Sequence, residues 1–102
     1  MHYLLFYDVV DDYIDRRVAY RDAHLAYACD AVARGELILG GALADPPDGA
    51  VLLFRADSPE VVERFAEGDP YVRNGIVTGW HVREWTTVVG PDAEHPIPGG
   101  GV

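Results

Sequence analysis

A histidine, two arginines and an aspartate are the side chains of this 102-residue sequence that could do chemistry together. At 100° per residue, Arg17, Arg21 and His24 lie on one flank of the same predicted helix, at the border where a packed helix meets its neighbours. A carboxylate that holds an imidazole fixes its tautomer and stabilises its protonated form, as a general base near neutral pH requires. Asp69 is the candidate carboxylate, and an arginine could stabilise a developing oxyanion.

Each of these residues also has an ordinary structural role, which the spacing leaves open. His24 could be a half-buried histidine hydrogen-bonded to backbone or water, and Asp69 could cap the turn before Pro70. The arginines could pair with side chains at the start of their own helix or next to them in sequence. Aromatic residues more often belong to a core than to a pocket, but four of them could wall a planar substrate: Tyr71, Phe6, Trp80 and Trp85.

Turn residues and apolar patterning divide the chain into six elements. Gly35 ends the first helix, and Ser58 followed by Pro59 begins the second. The two prolines and the Asp-Gly pair of residues 44–49 predict a turn that returns the next strand antiparallel. The predicted strands cover residues 3–10, 36–43, 50–56 and 76–89, and the predicted helices run from 13 to about 34 and from 59 to 68.

The order β-α-β-β-α-β predicts an α+β, ferredoxin-like fold with two helices against one face of a four-stranded antiparallel sheet. In this topology the start of the first helix, the turn between the second and third strands, and the end of the second helix lie at the same end of the sheet. Arg17, Arg21 and Asp69 are therefore expected there, with His24 about two turns into the first helix.

An apolar stripe on the first helix predicts its contact with the sheet. The stripe consists of Ile14, Val18, Leu25, Cys29 and Val32. Cys29, the single cysteine, is therefore expected to be a buried packing thiol and not a nucleophile. A single cysteine also excludes an internal disulfide and fits a reducing compartment.

The strands are apolar on both faces, as residues 4–6, 37–39 and 51–54 show. Helices can cover only one face of the sheet, so the other face needs a second cover. We expect a homodimer in which two sheets pack face to face, since a small domain gains a larger core in this way.

Composition excludes several classes of partner. Seventeen acidic residues against eight arginines and no lysine give a formal charge of −9, which repels the phosphates of nucleic acid. No apolar run approaches the roughly 20 residues that span a bilayer, and the first residues lack a basic leader segment. We therefore expect no nucleic-acid partner, no membrane association and a cytoplasmic location.

The sequence predicts neither a metal site nor a cofactor. The four histidines are scattered, without the short spacings of metal-ligand pairs, and no glycine-rich nucleotide motif is present. Residues 1–90 are expected to form one domain. Residues 91–102, rich in proline and glycine, form a tail that has little to bury unless a partner subunit holds it.

Several short stretches, in order and spacing, resemble the YCII-related (YciI-like) family. They are Arg21–Tyr27 (RDAHLAY), Gly35, Leu37–Leu43 (LILGGAL), Asp69–Val72 (DPYV), Gly75 and Val82–Trp85 (VREW), and the resemblance covers residues 3 to about 89. It implies a ferredoxin-like subunit that pairs into a dimeric α+β barrel, with a His and Asp pair as active site. That pair corresponds to His24 and Asp69. Ala42 and Glu84 stand where the family often has proline.

The resemblance implies a class of chemistry but no single reaction. One branch of the family eliminates HCl from a chlorinated, hydroxylated aromatic ring, and the wider superfamily acts on small aromatic or lactone-type compounds, often without a cofactor. We expect acid-base chemistry, elimination or isomerisation, with His24 and Asp69 as the catalytic pair and Arg17, Arg21 and Tyr71 binding the substrate. The alternative is a non-catalytic module of the same fold that binds a small ligand.

Overall fold

A computed structural model describes residues 1–97 of the chain. Its strands are β1 (His2–Val9), β2 (Leu37–Ala42), β3 (Gly49–Arg55) and β4 (Val77–Trp85). Its helices are α1 (Tyr13–Arg16), α2 (Arg21–Ala33), α3 (Pro59–Gly68) and α4 (Pro70–Arg73), with a 3-10 turn at Arg17–Ala19. Within this part of the chain, no helix is long and apolar enough to cross a membrane.

The four strands form one antiparallel sheet in the order β2-β3-β1-β4. The predicted α+β fold with a four-stranded antiparallel sheet is confirmed. Side chains of β1 alternate between the faces: Tyr3, Leu5 and Tyr7 are buried, while Leu4 and Phe6 are only half-buried. The buried set faces the helices, because the Tyr7 hydroxyl contacts the residue between α3 and α4.

The prediction of a single helix over residues 13–34 is wrong. The helix is interrupted at Tyr20, whose backbone angles of φ −119° and ψ 0° lie outside the helical range. The preceding residues form a 3-10 turn. The break follows a β-branched Val18 and precedes α2, which begins without a side-chain cap. It separates two anchors, the buried Tyr13 ring of α1 and the buried face of α2.

The face that α2 turns to the core is also not the predicted one. Ala31 is completely buried, and Tyr27 packs against the core beside it. The aliphatic stripe is exposed instead: Leu25 is 45% exposed and Val32 53%. By the helical repeat of 100° per residue, the two faces differ by roughly a third of a turn. The helix is rotated in this way because small and hydrogen-bonding residues, not aliphatic ones, make its tertiary contacts.

This rotation changes the environment of Cys29. The thiol is exposed and borders a groove between α2 and β2, so the predicted buried thiol is wrong. Ile14 and Val18 were also predicted to face the sheet, but they are 43% and 73% exposed. The stripe therefore faces an open groove and the surrounding surface, not the sheet.

The second half of the domain follows the predicted pattern closely. Pro59 occupies the first turn of α3 and Gly68 ends it, as predicted. One element is added: residues 70–73 form the short helix α4, which is absent from the six predicted elements. Strand β4 ends at Trp85, four residues earlier than predicted.

Residues after β4 return to the start of β1. The buried His2 ring bonds to the Thr87 hydroxyl at 2.7 Å, and Glu94 lies 3.4 Å from the N-terminal ammonium and 3.5 Å from Arg55. Of the tail predicted over residues 91–102, residues 98–102 lie outside the described part. The division into a domain of 1–90 and a separate tail remains a prediction.

The face of the sheet opposite the helices is largely apolar. Phe6 stacks on His81 with ring centroids 4.8 Å apart, and Leu4, Val51 and Leu53 beside them are half-buried. Trp85 at one edge is 47% exposed. A sheet-to-sheet homodimer across this face remains a prediction.

Candidate active site

Asp69 is the centre of the site. Its side chain is completely buried and accepts three hydrogen bonds. Oδ1 accepts from His24 Nδ1 at 2.8 Å and from the Tyr71 backbone N–H at 2.9 Å, and Oδ2 accepts from the Tyr7 hydroxyl at 2.7 Å. A buried carboxylate is unfavourable unless its lone pairs are used in this way. The three donors hold the carboxylate in one orientation.

The His24 ring is fixed by two residues of the same corner. It stacks on the Tyr71 ring, with centroids 3.8 Å apart and planes 5° apart, while Nδ1 bonds to Asp69. The proton is assigned to Nδ1 because Asp69 supplies an acceptor. Nε2 is then the unprotonated nitrogen. The side chain is 16% exposed and borders the groove, so Nε2 can receive a proton from a bound molecule.

The two roles considered for Asp69 coexist on one atom. Oδ1 caps α4 by accepting from the Tyr71 N–H, and it also accepts from His24. The cap sets the carboxylate at the point where α3 ends, and Pro70 holds the chain in the first turn of α4. The local turn chemistry therefore positions the group that contacts the imidazole.

A side chain of α2 reaches the end of α3 next to the corner that holds Asp69. Tyr27, one turn after His24, donates its hydroxyl to the Phe65 carbonyl at 2.9 Å. A Cβ atom at Gly68 would collide with that hydroxyl. A side chain at the last position of α3, directly before Asp69, would therefore have to displace the Tyr27 hydroxyl from its hydrogen bond.

Tyr7 is a member of the site that sequence reasoning missed. Burial, and then the Asp69 carboxylate, raises the pKa of Tyr7 well above its usual value. The phenol therefore stays protonated and donates to Asp69. A signal was present, since a tyrosine at a core-facing position of β1 needs an acceptor for its hydroxyl.

Both predicted arginines border the groove. Arg17 Nη1 donates to the Tyr13 hydroxyl at 3.3 Å, and its guanidinium carbon lies 5.0 Å from the centre of that ring. Arg21 is exposed. Burial, followed by Tyr13, raises the pKa of Tyr71, while Arg17 and Arg21 act to lower it. Both positive charges are thus felt at the Tyr71 hydroxyl, which also borders the groove.

Three of the four candidate aromatic walls lie elsewhere. Phe6 is on the opposite face of the sheet against His81, Trp80 packs against the core, and Trp85 is not among the residues that line the groove. Tyr71 alone of the four belongs to the site. Within residues 1–97, no three His, Cys, Asp or Glu side chains are close enough to hold a metal ion.

The helix-covered sheet with its strand order β2-β3-β1-β4 defines an α+β protein of ferredoxin-like topology. The sequence model of the YCII-related domain family matches residues 1–86. The chain therefore belongs to the YCII-related family, and His24, Asp69 and Tyr71 all lie within the matched range. A search of curated protein sequences found none that matches this chain.

Solved structures show the same fold. One similar structure is 5-chloro-2-hydroxyhydroquinone dehydrochlorinase from Burkholderia phenoliruptrix AC1100, in complex with 2,5-dihydroxybenzoquinone. It is 24% identical, with a TM-score of 0.73 over 92% of this chain and 100% of that one. A NIPSNAP family protein from Agrobacterium tumefaciens strain C58 is 10% identical, with a TM-score of 0.54 over 91% of this chain and 95% of that one.

Proposed function

We propose that this protein is a small-molecule enzyme in which His24 and Asp69 carry out general acid-base chemistry. One observation carries the proposal: the carboxylate that bonds to His24 Nδ1 is completely buried and held by two further donors. A buried charge costs stability, and such an arrangement is typical of sites that tune an imidazole. The solved dehydrochlorinase, which has the same fold, supports catalysis on a small hydroxylated ring.

In the proposed reaction, Nε2 of His24 removes a proton from a substrate hydroxyl or ring carbon. In an elimination, the electron pair left behind moves into the ring and expels a leaving group with its bonding electrons. In an isomerisation, the electron pair shifts the double bond, and Nε2 returns the proton to the carbon at the other end of the shifted system. Asp69 stabilises the imidazolium that forms and keeps the proton on Nδ1 throughout. Arg17 or Arg21 stabilises the negative charge that develops on the substrate oxygen.

The test is a panel of hydroxylated aromatics, chlorinated aromatics and lactones, scanned for both binding and conversion by the full chain. We expect conversion of at least one compound, lowered by a factor of about 10² to 10⁴ in His24→Ala. His95→Ala is the matched control, since His95 is exposed and lies outside the groove. Equal activity of His24→Ala and the control would exclude His24 as the base.

The alternative is a module that binds a small ligand without converting it. The groove favours this possibility because it is a concave, largely apolar cavity of about 410 Å³, a size typical of ligand pockets. Tight binding across the panel without any conversion would support the module. In that case His24 and Asp69 would serve as polar anchors.

A further inference from the structure

The groove beside His24 extends well beyond the catalytic pair. It runs between α2 and β2, with Leu25, Cys29 and Val32 on the helix side and residues 37–42 on the strand side. Val32 lies eight residues after His24, which is about 12 Å along the helix axis. This stretch is longer than a single six-membered ring and is lined by apolar side chains. The exposed aliphatic stripe of α2 thus forms one wall of this groove.

The charge distribution around the groove is unlike that of the whole molecule. The chain has 17 acidic residues, yet among the described residues 1–97 no Asp or Glu lines the groove, and two of the eight arginines do. Within residues 1–97, neither Arg17 nor Arg21 lies within 4.0 Å of a carboxylate. The groove therefore concentrates unpaired positive charge at one end, in a protein that is otherwise strongly acidic.

Along α2, the positively charged end of the groove comes first, His24 second and the apolar stretch last. Arg21 precedes His24 by three residues, about 4.5 Å along the axis, and the apolar stretch follows His24. The guanidinium groups can bind a planar anion through several N–H donors. Tyr71, beside His24, adds a hydroxyl to the same end.

We propose that the groove binds an amphipathic carboxylate whose anionic group contacts Arg17 and Arg21 and whose apolar body, longer than one ring, lies along Leu25, Cys29 and Val32. This inference rests on the proposed function for the place where the substrate reacts. Charge complementarity and continuity with His24 identify a small molecule as the occupant. A second copy of this acidic chain would have to bring an apolar ridge to a groove that ends in two unpaired arginines.

Three probes separate the two halves of the proposal: biphenyl-4-carboxylate, benzoate and biphenyl-4-carboxamide. Their binding to the full chain is measured by titration calorimetry. We expect biphenyl-4-carboxylate to bind at least about 10-fold more tightly than benzoate, because its second ring buries apolar surface. We expect a similar advantage over the uncharged carboxamide. Equal affinity for all three probes, or no binding of any, would overturn the proposal.

Pairs of variants test which residues bind the anionic group and which bind the apolar body of the ligand. Arg21→Gln should remove the preference for the carboxylate over the carboxamide, while Arg16→Gln, the same charge change outside the groove, should keep it. Cys29→Trp should remove the preference for biphenyl-4-carboxylate over benzoate. Ala23→Trp, on the exposed side of α2, should keep that preference. A pattern in which the control variants lose as much as the groove variants would overturn the assignment.

The single cysteine reports independently on what fills the groove. The rate at which N-ethylmaleimide modifies Cys29 should be high in the free protein and should fall when biphenyl-4-carboxylate is bound. If Cys29 is protected without a ligand at concentrations where the protein associates, a second copy covers the groove and the proposal fails. Binding with the expected preferences but without conversion of any compound would leave the groove assignment standing and overturn the proposed function instead.

Discussion

At the scale of single residues, Asp69 combines tasks that sequence reasoning treats as competing. Its Oδ1 caps α4 and bonds to His24, while its Oδ2 accepts from Tyr7. An asparagine at this position can keep the cap, because its carbonyl oxygen accepts from the Tyr71 N–H in the same way. It cannot supply the negative charge that stabilises a histidine cation.

The first prediction is that His24 and Asp69 act as one unit. His24→Ala and Asp69→Asn should each lower kcat/KM for a converted compound, and the double variant should be little worse than either single one. Groups that depend on each other give such non-additive effects. The thermal stability of Asp69→Asn should stay close to that of the parent chain, since the cap remains.

Steady-state kinetics and thermal unfolding of the four proteins make up this experiment. Additive losses in kcat/KM would show that the two residues work separately. A kinetically silent Asp69→Asn would reduce Asp69 to a helix cap. In both cases the binding module would become the better description.

At the scale of elements, the site depends on the contact that one side chain of α2 makes with the end of α3. Tyr27 on α2 bonds to the Phe65 carbonyl of α3, and the two rings pack with centroids 4.9 Å apart. Gly68 leaves room for the Tyr27 hydroxyl. The residue that follows is Asp69, so a shift of the end of α3 displaces the carboxylate from His24.

The second prediction concerns this glycine. Gly68→Ala should lower both the thermal stability and the activity, because its Cβ would collide with the Tyr27 hydroxyl. Tyr27→Phe removes the oxygen, so the double variant Gly68→Ala, Tyr27→Phe should recover part of the loss. The measurements are the thermal unfolding midpoint and kcat/KM of the three variants.

A control separates the collision from the general effect of replacing a glycine. Gly41→Ala adds a Cβ that has nothing within 4 Å, so it should be nearly silent in stability. If Tyr27→Phe gives Gly68→Ala no recovery, contact between these two residues is not what sets the helix spacing.

At the scale of the whole molecule, one face of the sheet carries half-buried apolar side chains that no helix of the described part of the chain covers. The face includes Leu4, Phe6, Val51 and Leu53. We propose that a second copy of the chain covers it, sheet against sheet. An isologous interface of this kind would enlarge the core of an 11.2 kDa domain.

The third prediction is a mass of twice 11.2 kDa in light scattering at micromolar concentration. Leu53→Glu should give the mass of a single chain, because it places a charge in the middle of the proposed interface. Val18→Glu is the control, as Val18 is already 73% exposed on the helical side. A folded parent chain with the single-chain mass would end the dimer proposal.

The fourth prediction concerns Glu94 and pH. Desolvation acts to raise the pKa of Glu94, but His2, the N-terminal ammonium and Arg55 outweigh it and hold the pKa below its ordinary value of 4.5. A carboxyl group with a lowered pKa in the folded state stabilises the fold above its unfolded-state pKa. That stabilisation is lost as the pH falls through the folded value.

Glu94→Gln should therefore lower the thermal unfolding midpoint at neutral pH, and the difference from the parent chain should vanish well below pH 4.5. Asp92→Asn, an exposed neighbour, should show no such pH-dependent difference.

Truncation after Gly90 should lower the midpoint at least as much as Glu94→Gln does. If the truncated chain is as stable as the parent, residues 91–102 are dispensable, as the sequence alone predicts.

The sequence by itself determined the four strands, the bounds of α3, the fold class and the family. Local signals suffice for these: Ser58 and Pro59 begin α3, Gly68 ends it, and the alternation of buried side chains in β1 follows from the strand repeat. The corner Asp69-Pro70-Tyr71 is likewise local. Its helix cap joins Asp69 to the Tyr71 N–H two residues later, so it involves no residue distant in sequence.

Only the tertiary structure decided which face of α2 enters the core. Hydrophobic periodicity favours the aliphatic stripe, but contacts with α3 and Asp69 select the face of His24, Tyr27 and Ala31. These contacts join residues distant in sequence: His24 and Asp69 are 45 positions apart, and Tyr7 and Asp69 are 62 apart. Periodicity along one helix carries no information about such partners. The same rotation leaves Leu25, Cys29 and Val32 facing the groove, because a helix that buries its polar and small residues must expose its aliphatic ones.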